Sequence, residues 1–331
     1  MRTKPWIRLG GNLSTMFPAP RSATAHFRAG LLALCRRSFK KPAPNRTTSF
    51  AATVYRASAR RRPTGQNAGR MVLHLCRGQN WVSLVRWLER FPIPHQVATT
   101  VWSLAEAAHD EGTIEPHTFE LVAQAVVRHY VTLGSYDHQD VTSALAVLDA
   151  ASAIDLQIWS RLRRAQIELL KKNVQLGTEL LAGLPEITDP HLAIDAALLR
   201  TEVAHLNRDA PTVEALVSKH VLAPLARLRE VPTRDYLAIR ASMWHARVLK
   251  LQGDHMGALG RLVPLHSDNA IMASRIAYQV GDCATLLGLF TLAEDRLRRG
   301  YELASAGRAV PEERLAFPLR LASLYRHRGD I

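Results

Sequence analysis

From Gln79 to the end of the chain, apolar residues recur every three and four positions, and the alternation typical of strands is nearly absent. This spacing places the apolar side chains on one face of a helix, so it predicts an all-α fold without a sheet in this region. Short connections predict that consecutive helices pack as antiparallel hairpins. The predicted helices, about 13 in number, cover residues 79–90, 95–110, 117–132, 138–152, 156–171, 173–184, 190–207, 211–228, 234–251, 255–265, 269–286, 290–304 and 312–328.

Two helix boundaries have a clear physical reason in the sequence. Asp189 precedes Pro190; an aspartate side chain accepts hydrogen bonds from the first free amides of a helix, and proline lacks an N–H that the first turn leaves unused. Pro224 falls inside the predicted helix 211–228, where the missing N–H and a steric clash predict a kink or a break.

The C-terminal third repeats a pattern of small residues. In residues 275–297, Gly281 lies in the middle of one predicted helix, Gly288 in the turn, and Ala293 and Leu297 in the next helix. A shift of 35 residues back, and one of 41 forward, matches small, turn and apolar residues again; these are Ala246, Gly253-Asp254, Ala258 and Leu262, and Ala322, Tyr325 and Gly329-Asp330. This pattern resembles the tetratricopeptide repeat, in which small residues let two helices approach closely.

Residues 79–187 have a similar spacing, with helix pairs that begin near Trp81, Thr118 and Trp159. Hairpins such as 116–122 and 158–162 are similar to the degenerate pentatricopeptide and heptatricopeptide-type repeats of organellar RNA proteins. The resemblance implies a right-handed α-solenoid of antiparallel helical hairpins. The residue pairs that read bases in pentatricopeptide arrays cannot be placed in this sequence, so none is assigned here.

The net charge of +14 comes entirely from the N-terminal segment. Residues 1–70 hold 15 of the 43 Lys and Arg residues and no acid, so residues 71–331 carry 28 bases against 29 acids. A segment rich in Arg, Ser, Thr and Ala, with an amphipathic stretch at 26–37, is typical of a mitochondrial presequence. The alternatives are a disordered basic arm that binds nucleic acid, or an upstream extension with Met71 as the true start. The predicted domains are 1–70, a pentatricopeptide-like array at 71–188, and tetratricopeptide-like repeats at 189–331.

The sequence contains none of the common catalytic motifs. The usual zinc, phosphate-loop, dinucleotide and nucleophile motifs do not occur, and Cys35, Cys76 and Cys283 have no paired spacing. The densest polar cluster comprises His109, Asp110, Glu111, Glu115, His117 and Glu120. A metal or acid/base site would need these side chains to converge, whereas a Gly112-Thr113 turn and Pro116 separate them, which favours a solvated loop. No catalytic, cofactor or metal-binding residue is therefore predicted. The apolar runs are also too short for insertion into a membrane.

The resemblance to tetratricopeptide arrays implies a ligand groove, because the first helix of each pair lines the concave face in such arrays. Its groove positions fall on three segments of this chain, which supply five bases and one acid. The predicted groove ligands are Arg240, Arg247, Lys250, Arg275, Tyr278 and Arg326. Such an excess favours an anionic ligand, either RNA phosphate or an acidic peptide. The alternative is the ordinary solvated face of long helices.

The last predicted helix, 312–328, has no following helix to pair with. Its apolar residues Leu315, Leu319 and Leu324 are expected to be covered by a partner, unless the chain is truncated. These features predict a non-catalytic scaffold of the mitochondrial matrix that acts in RNA metabolism. It would be a subunit or assembly factor of the mitochondrial ribosome or of an RNA-processing complex, with direct RNA contact left open. The alternative is a tetratricopeptide-type adaptor that docks proteins and has no role with nucleic acid.

Overall fold

A computed structural model describes residues 6–8, 13–14, 17–18, 65–88, 93–228, 232–307, 309 and 311–329. The first three ranges form short strands, β1 (Trp6–Arg8), β2 (Leu13–Ser14) and β3 (Phe17–Pro18). They pair antiparallel in the order β2-β1-β3, with Arg8 opposite Leu13 and Ile7 opposite Phe17. The amphipathic stretch 26–37 predicted for the presequence, Cys35 included, lies outside the described residues.

The described residues from 65 onward are helical and contain no strand, which confirms the all-α prediction for this part of the chain. The helices are α1 (Gly65–Arg77), α2 (Trp81–Leu88), α3 (Ala98–Asp110), α4 (Pro116–Leu133), α5 (Gln139–Asp149), α6 (Ile154–Leu170), α7 (Val174–Ala182), α8 (Pro190–Leu206), α9 (Ala210–Ala215, Leu216–Leu222 and Ala223–Leu225), α10 (Pro232–Leu251), α11 (His255–Leu262), α12 (Ala270–Leu286), α13 (Phe290–Ala306) and α14 (Pro311–Arg328). A 3₁₀ turn, His95–Val97, precedes α3. None of the described helices combines the length and the apolar character that crossing a bilayer requires.

Helix α1 was not among the predicted helices, and it begins within the predicted leader 1–70. Its apolar residues Ala68, Met71, Val72, Leu75 and Cys76 recur at helical spacing, but the prediction assigned the start of this segment to the leader. Met71, Val72 and Leu75 are completely buried. Helix α1 therefore belongs to a packed core, and it starts before Met71.

The chain divides into two compact units, Met1–Ala125 and Val126–Ile331. The predicted domain boundary at 188/189 lies inside the second unit. Helices α6, α7 and α8 share one core, which includes Ile158, Leu181 and Leu199. Helix α8 also contributes Leu198 to the next core, with α9 and α10. Because α8 packs on both sides, the helices before and after residue 188 form one continuous structure.

The same turn joins the two helices of five hairpins. Each first helix ends on a left-handed residue, and the N–H groups of this residue and the next bond back to carbonyls of the last helical turn. These left-handed residues are Gln79, Lys172, Arg208, Gly253 and Gly288. In four hairpins the following residue, Asn80, Asn173, Asp209 or Asp254, accepts a backbone N–H three positions on. In these four hairpins, the left-handed residue ends the first helix, and the Asn or Asp that follows it caps the second helix.

The packing inside these hairpins also repeats. The buried position seven residues before the left-handed residue belongs to the first helix, and the buried position five residues after it belongs to the second. These pairs are Val72 and Leu84, Ala165 and Gly177, Thr201 and Val213, Ala246 and Ala258, and Gly281 and Ala293. The spacing predicted for the C-terminal third therefore also occurs in α1–α2, α6–α7 and α8–α9, so these helices are built as repeated hairpins.

Lys172→Gly is expected to raise the free energy of unfolding by about 1 kcal/mol. Lys172 has a φ of 66°, and a left-handed conformation costs a residue with a Cβ roughly 1–2 kcal/mol, part of which glycine returns as unfolded-state entropy. Gly253→Ala, at the equivalent position with a φ of 82° and open space around a Cβ, should lower the same free energy by a similar amount. Urea unfolding measures both, and equal stabilities of the two variants would contradict the shared turn.

The split that was one of the two outcomes predicted at Pro224 does not occur, because helical backbone continues through the proline to Leu225. Residues Leu216–Leu222 adopt π-helical geometry, in which the N–H of Ala223 donates to the carbonyl of Ser218, five residues back. Helical structure ends at Leu225, before the predicted end at 228. Proline has no N–H, so Pro224 cannot donate the hydrogen bond that an α-helix has at this position. The π-helical turn, with bonds between residues five apart, lies directly before this missing bond.

In the second unit, the first helices of successive hairpins contact one another. Helix α8 packs against α6 and α10, and α12 packs against α10 and α14. The end of α4 also contacts α12: the Nη2 of Arg275 lies 3.5 Å from the carbonyl oxygen of Thr132, and Leu133 shares a core with Ile271. An open row in which each hairpin contacts only its neighbours does not predict this last contact.

The predicted apolar face of the last helix is only partly exposed. Leu324 is completely buried in a core with Ala284 and Ala293, so the prediction for this residue was wrong. Leu315 and Leu319 are 60% and 71% exposed. Helix α14 packs on both α12 and α13, which explains why Leu324 is covered without a following helix.

Candidate functional site

Two charged clusters lie on the contacting first helices of the second unit. The Asp195 cluster comprises Arg128 from α4, Arg163 from α6, Asp195 from α8, Tyr236 and Arg240 from α10, Arg275 from α12 and Glu313 from α14. The Asp282 cluster comprises Glu202 from α8, Arg247 and Lys250 from α10, Tyr278 and Asp282 from α12, and Arg320 from α14. Each cluster is thus assembled from several hairpins.

Asp195 joins three helices. It is 7% exposed, and its two carboxylate oxygens contact the guanidinium groups of Arg163 and Arg240, which come from the helices on either side. A buried carboxylate is tolerated only when cations and hydrogen bonds compensate its lost hydration. One carboxylate here serves two cations, so this group carries a local positive excess.

Arg163 forms the buried base of the Asp195 cluster. It is 5% exposed, and its guanidinium carbon lies 5.2 Å from the ring centroid of Trp159. Burial, with Arg240 and Arg128 nearby, lowers the pKa of the Arg163 guanidinium to about 9. The side chain is therefore charged at pH 7. Its Nε is buried and has no hydrogen-bond partner within the described part of the chain.

Tyr236 lies at the open side of this cluster. The residue is 37% exposed. The guanidinium of Arg240 lies 5.6 Å from its ring centroid. Burial would raise the pKa of the phenol, but the charges of Arg240, Arg163, Arg275 and Arg128 outweigh it and lower that pKa. The surroundings of the phenol therefore have a positive potential.

Arg275 closes the Asp195 cluster on the α12 side. Its Nε donates to the Oε1 of Glu313 at 3.1 Å, and its Nη2 approaches the Thr132 carbonyl. Arg163, Arg240 and Arg275 together contact two carboxylates, those of Asp195 and Glu313. In these contacts the cations outnumber the carboxylates by one.

The Asp282 cluster has the same arrangement. Asp282 contacts both Lys250 and Arg320, which lie on the helices to either side. Arg247 stacks on Trp244, with its guanidinium 4.6 Å from the ring centroid. Burial lowers the pKa of Arg247, whereas nearby Glu202 and Asp282 oppose that shift. Burial and Asp282 raise the pKa of Tyr278. Here too, three cations lie near two carboxylates, those of Glu202 and Asp282.

Five of the six predicted groove residues fall in the two clusters. Arg240 and Arg275 belong to the first cluster, and Arg247, Lys250 and Tyr278 belong to the second. Tyr278 also meets Phe317 edge-on, with ring centroids 5.4 Å apart. The sixth, Arg326, is exposed on the last turns of α14 and joins neither cluster.

Asp282, which pairs with Lys250, is the one acid among the predicted groove positions. Asp195 and Glu313, and Arg163 itself, were not predicted. Asp195 had a readable signal, because it is the one charged residue in the apolar run 192–199, and a charge in such a run needs a partner. Arg163, Arg128 and Glu313 had none, since they lie in segments that the predicted repeat alignment did not cover or did not assign to the groove.

The polar cluster around residues 109–120 does not converge. His109 stacks on Phe119 at a centroid distance of 4.3 Å, and the Nδ1 of His117 lies 3.3 Å from the Oε2 of Glu120. Gly112, with a φ of 65°, makes the intervening turn. No three His, Cys, Asp or Glu side chains are arranged as metal ligands in the part of the chain that the structure describes. Burial raises the pKa of the Cys76 thiol to about 12 and also raises that of Cys283.

No protein-family model matches this chain, and no curated protein matches it. The function is therefore inferred from the geometry of the two charged clusters. Guanidinium groups with a neighbouring phenol can bind an anion by hydrogen bonds and charge.

Proposed function

We propose that this protein is a non-catalytic helical-repeat scaffold that binds a protein partner through the two charged clusters. The observation that supports this most is the convergence of α4, α6, α8, α10, α12 and α14 on these clusters, since a binding surface assembled from successive hairpins is what repeat architectures provide. We also propose that the hairpins are tetratricopeptide-like units of a right-handed solenoid, with the end of α4 as an added contact.

The pairing of charges favours a protein over RNA as the partner of this surface. Affinity for RNA comes mainly from cations that neutralise phosphates. Here Arg240, Lys250 and Arg275 each contact a carboxylate, and these carboxylates would repel a polynucleotide backbone. A surface of mixed charge instead suits a protein partner, for which charge complementarity sets specificity.

Mitochondrial RNA metabolism is the second candidate function, and the leader is the observation that favours it. Residues 1–70 contain 15 basic residues and no acid. Such a segment is typical of a presequence for the mitochondrial matrix. A scaffold there would act as a subunit or assembly factor of the mitochondrial ribosome or of an RNA-processing complex. In this proposal, Leu315 and Leu319 of α14 would lie against another subunit.

Exchanging the charges of one ion pair tests the proposed surface. The double variant Arg275→Glu, Glu313→Arg keeps an ion pair between α12 and α14 but inverts its polarity. We expect capture of the partner from organelle extract to fall roughly tenfold, with little change in the thermal unfolding midpoint. The matched control is Arg299→Glu with Glu302→Arg, an exposed pair on α13 at 2.9 Å, which should capture as well as the wild type.

Capture is compared with and without ribonuclease. Loss of the captured partner on ribonuclease treatment would favour the RNA candidate. Retention of the partner, together with its loss in the exchanged variant, is the result expected for a protein-docking scaffold. Equal capture by the exchanged variant and the wild type would contradict the proposed surface.

A further inference from the structure

We propose that α14 binds α14 of a second copy of this chain, in an antiparallel contact with two-fold symmetry. The contact is made by one exposed row of side chains, the α14 stripe, which comprises Glu312, Leu315, Leu319, Ala322 and Arg326. None of these residues belongs to the two charged clusters. The inference is therefore independent of the proposed docking function.

Helix α14 has two apolar sides, and only one of them is covered. Phe317 and Leu324 are 3% and 0% exposed and lie in cores with residues of α12 and α13. Leu315 and Leu319 are 60% and 71% exposed, and Ala322 is exposed one turn further on. The end of a helical-repeat array normally presents a polar face to water. The second apolar side therefore indicates a surface that another helix covers.

The spacing of the α14 stripe is that of a helix–helix seam. Its five residues follow one another at steps of three, four, three and four positions. This alternation keeps side chains on one line along a helix, and it is the spacing through which two helices pack in a coiled coil. The occupant that this spacing fits is a single helix lying along α14.

The position of the α14 stripe within its hairpin also predicts an antiparallel helix. Helix α14 ends at a left-handed glycine, Gly329, whose N–H donates to the carbonyl three residues back, as the N–H groups of Gly253 and Gly288 do. Seven residues before Gly253 and Gly288, the chain is buried against the second helix of the hairpin. Seven residues before Gly329 lies Ala322, which is exposed. The stripe thus occupies the place where the other hairpins hold an antiparallel helix.

The charges of the α14 stripe match those of a second copy. Glu312 and Arg326 lie at its two ends, each seven residues from Leu319. When two copies pack antiparallel about Leu319, Glu312 of each copy faces Arg326 of the other, and Leu315 lies opposite Ala322. A surface that is complementary to itself in this way is what a two-fold contact requires. A parallel contact would instead place like charges opposite each other.

Both charged ends of the stripe are available for this contact. Glu312 and Arg326 are exposed, and neither forms an ion pair within the part of the chain that the structure describes. The neighbouring Glu313 is different, because it contacts Arg275. One pair of helices is smaller than a standard protein–protein interface, so we expect a dimer that dissociates on dilution.

Sedimentation equilibrium of the purified full-length protein at about 1–100 μM tests the contact. The expected mass rises with concentration from that of one chain, 36.8 kDa, towards twice that value. Leu319→Glu should weaken the dimer roughly a hundredfold or more, because it places two carboxylates together at the symmetry axis. The matched control is Met256→Glu on α11, where the wild-type side chain is 65% exposed, and it should dimerise as the wild type does. Circular dichroism checks that both variants are folded.

Exchanging the end charges tests the antiparallel arrangement. Glu312→Arg alone and Arg326→Glu alone each turn two attractive pairs into two repulsive ones, and each should weaken the dimer roughly tenfold. The double variant Glu312→Arg, Arg326→Glu restores opposite charges and should dimerise as the wild type does. An equimolar mixture of the two single variants should form a mixed dimer, since each supplies the charge that the other lacks.

A wild-type mass that stays at one chain over the whole concentration range would overturn the proposal, and α14 would then be free for a different protein. A dimer that Leu319→Glu leaves intact would overturn the assignment to this stripe. Single charge variants that dimerise as well as the wild type would overturn the antiparallel arrangement. Capture of a partner through the charged clusters is measured separately, so either result can fail while the other holds.

Discussion

Asp195→Asn is expected to lower the free energy of unfolding by about 3–5 kcal/mol, the largest effect of a single charge change that we predict. The substitution preserves the shape of the side chain and removes the negative charge that Arg163 and Arg240 share. Breaking a buried ion pair from one side leaves the remaining charge uncompensated, and Arg163 is 5% exposed. Urea denaturation followed by circular dichroism measures the change.

The control for this prediction is Asp268→Asn. Asp268 is fully exposed, with only a nearby histidine at 3.4 Å, so its neutralisation should leave the urea midpoint unchanged. A cost of less than 1 kcal/mol for Asp195→Asn would show that the shared carboxylate does not hold α6, α8 and α10 together.

Gly281→Ala is expected to destabilise the protein by about 1–3 kcal/mol, although alanine is the better helix former. A Cβ at this position would lie 2.6 Å from the Cγ of Leu297, which is completely buried between α12 and α13. Either the two helices must separate or Leu297 must leave its position, and a packed core resists both changes. Thermal and urea unfolding report the loss.

Gly260→Ala is the matched control for Gly281→Ala. Gly260 also lies inside a helix, α11, but open space surrounds the position of its Cβ. Here only the helix propensity changes, so a gain of about 0.5–1 kcal/mol is expected. If both substitutions stabilise the protein, the close approach of α12 and α13 is not a requirement of the hairpin.

The sequence predicted the helices well because their determinants are local. Apolar spacing and the Asp189-Pro190 start depend on residues within one or two turns, and the structure reproduces both. The small residues at Gly281 and Ala293 were also predictable, since close packing between adjacent helices demands them. Helix α1 was missed although its apolar residues have helical spacing, because the acid-free segment that contains its start was assigned to the leader. The burial of Met71 and Leu75 stabilises this helix.

The charged clusters were only half predictable, because they depend on contacts distant in sequence. A repeat alignment placed Arg240 and Arg275 correctly on one surface, but it could not reveal that Glu313 pairs with Arg275 or that Thr132 approaches it. These partners lie 38 and 143 residues away. Three of the five predicted groove cations, Arg240, Lys250 and Arg275, are therefore paired with carboxylates.

The measurement that tests this account most directly is the coupling between Asp195 and its two arginines. It compares four proteins by urea unfolding: the wild type, Asp195→Asn, the double variant Arg163→Met, Arg240→Met, and the triple variant. If the three side chains form one buried unit, the cost of Asp195→Asn should be largely lost in the double-variant background, since no buried cation remains to be compensated. The same cost in both backgrounds would contradict the convergence of α6, α8 and α10 on a shared charged site.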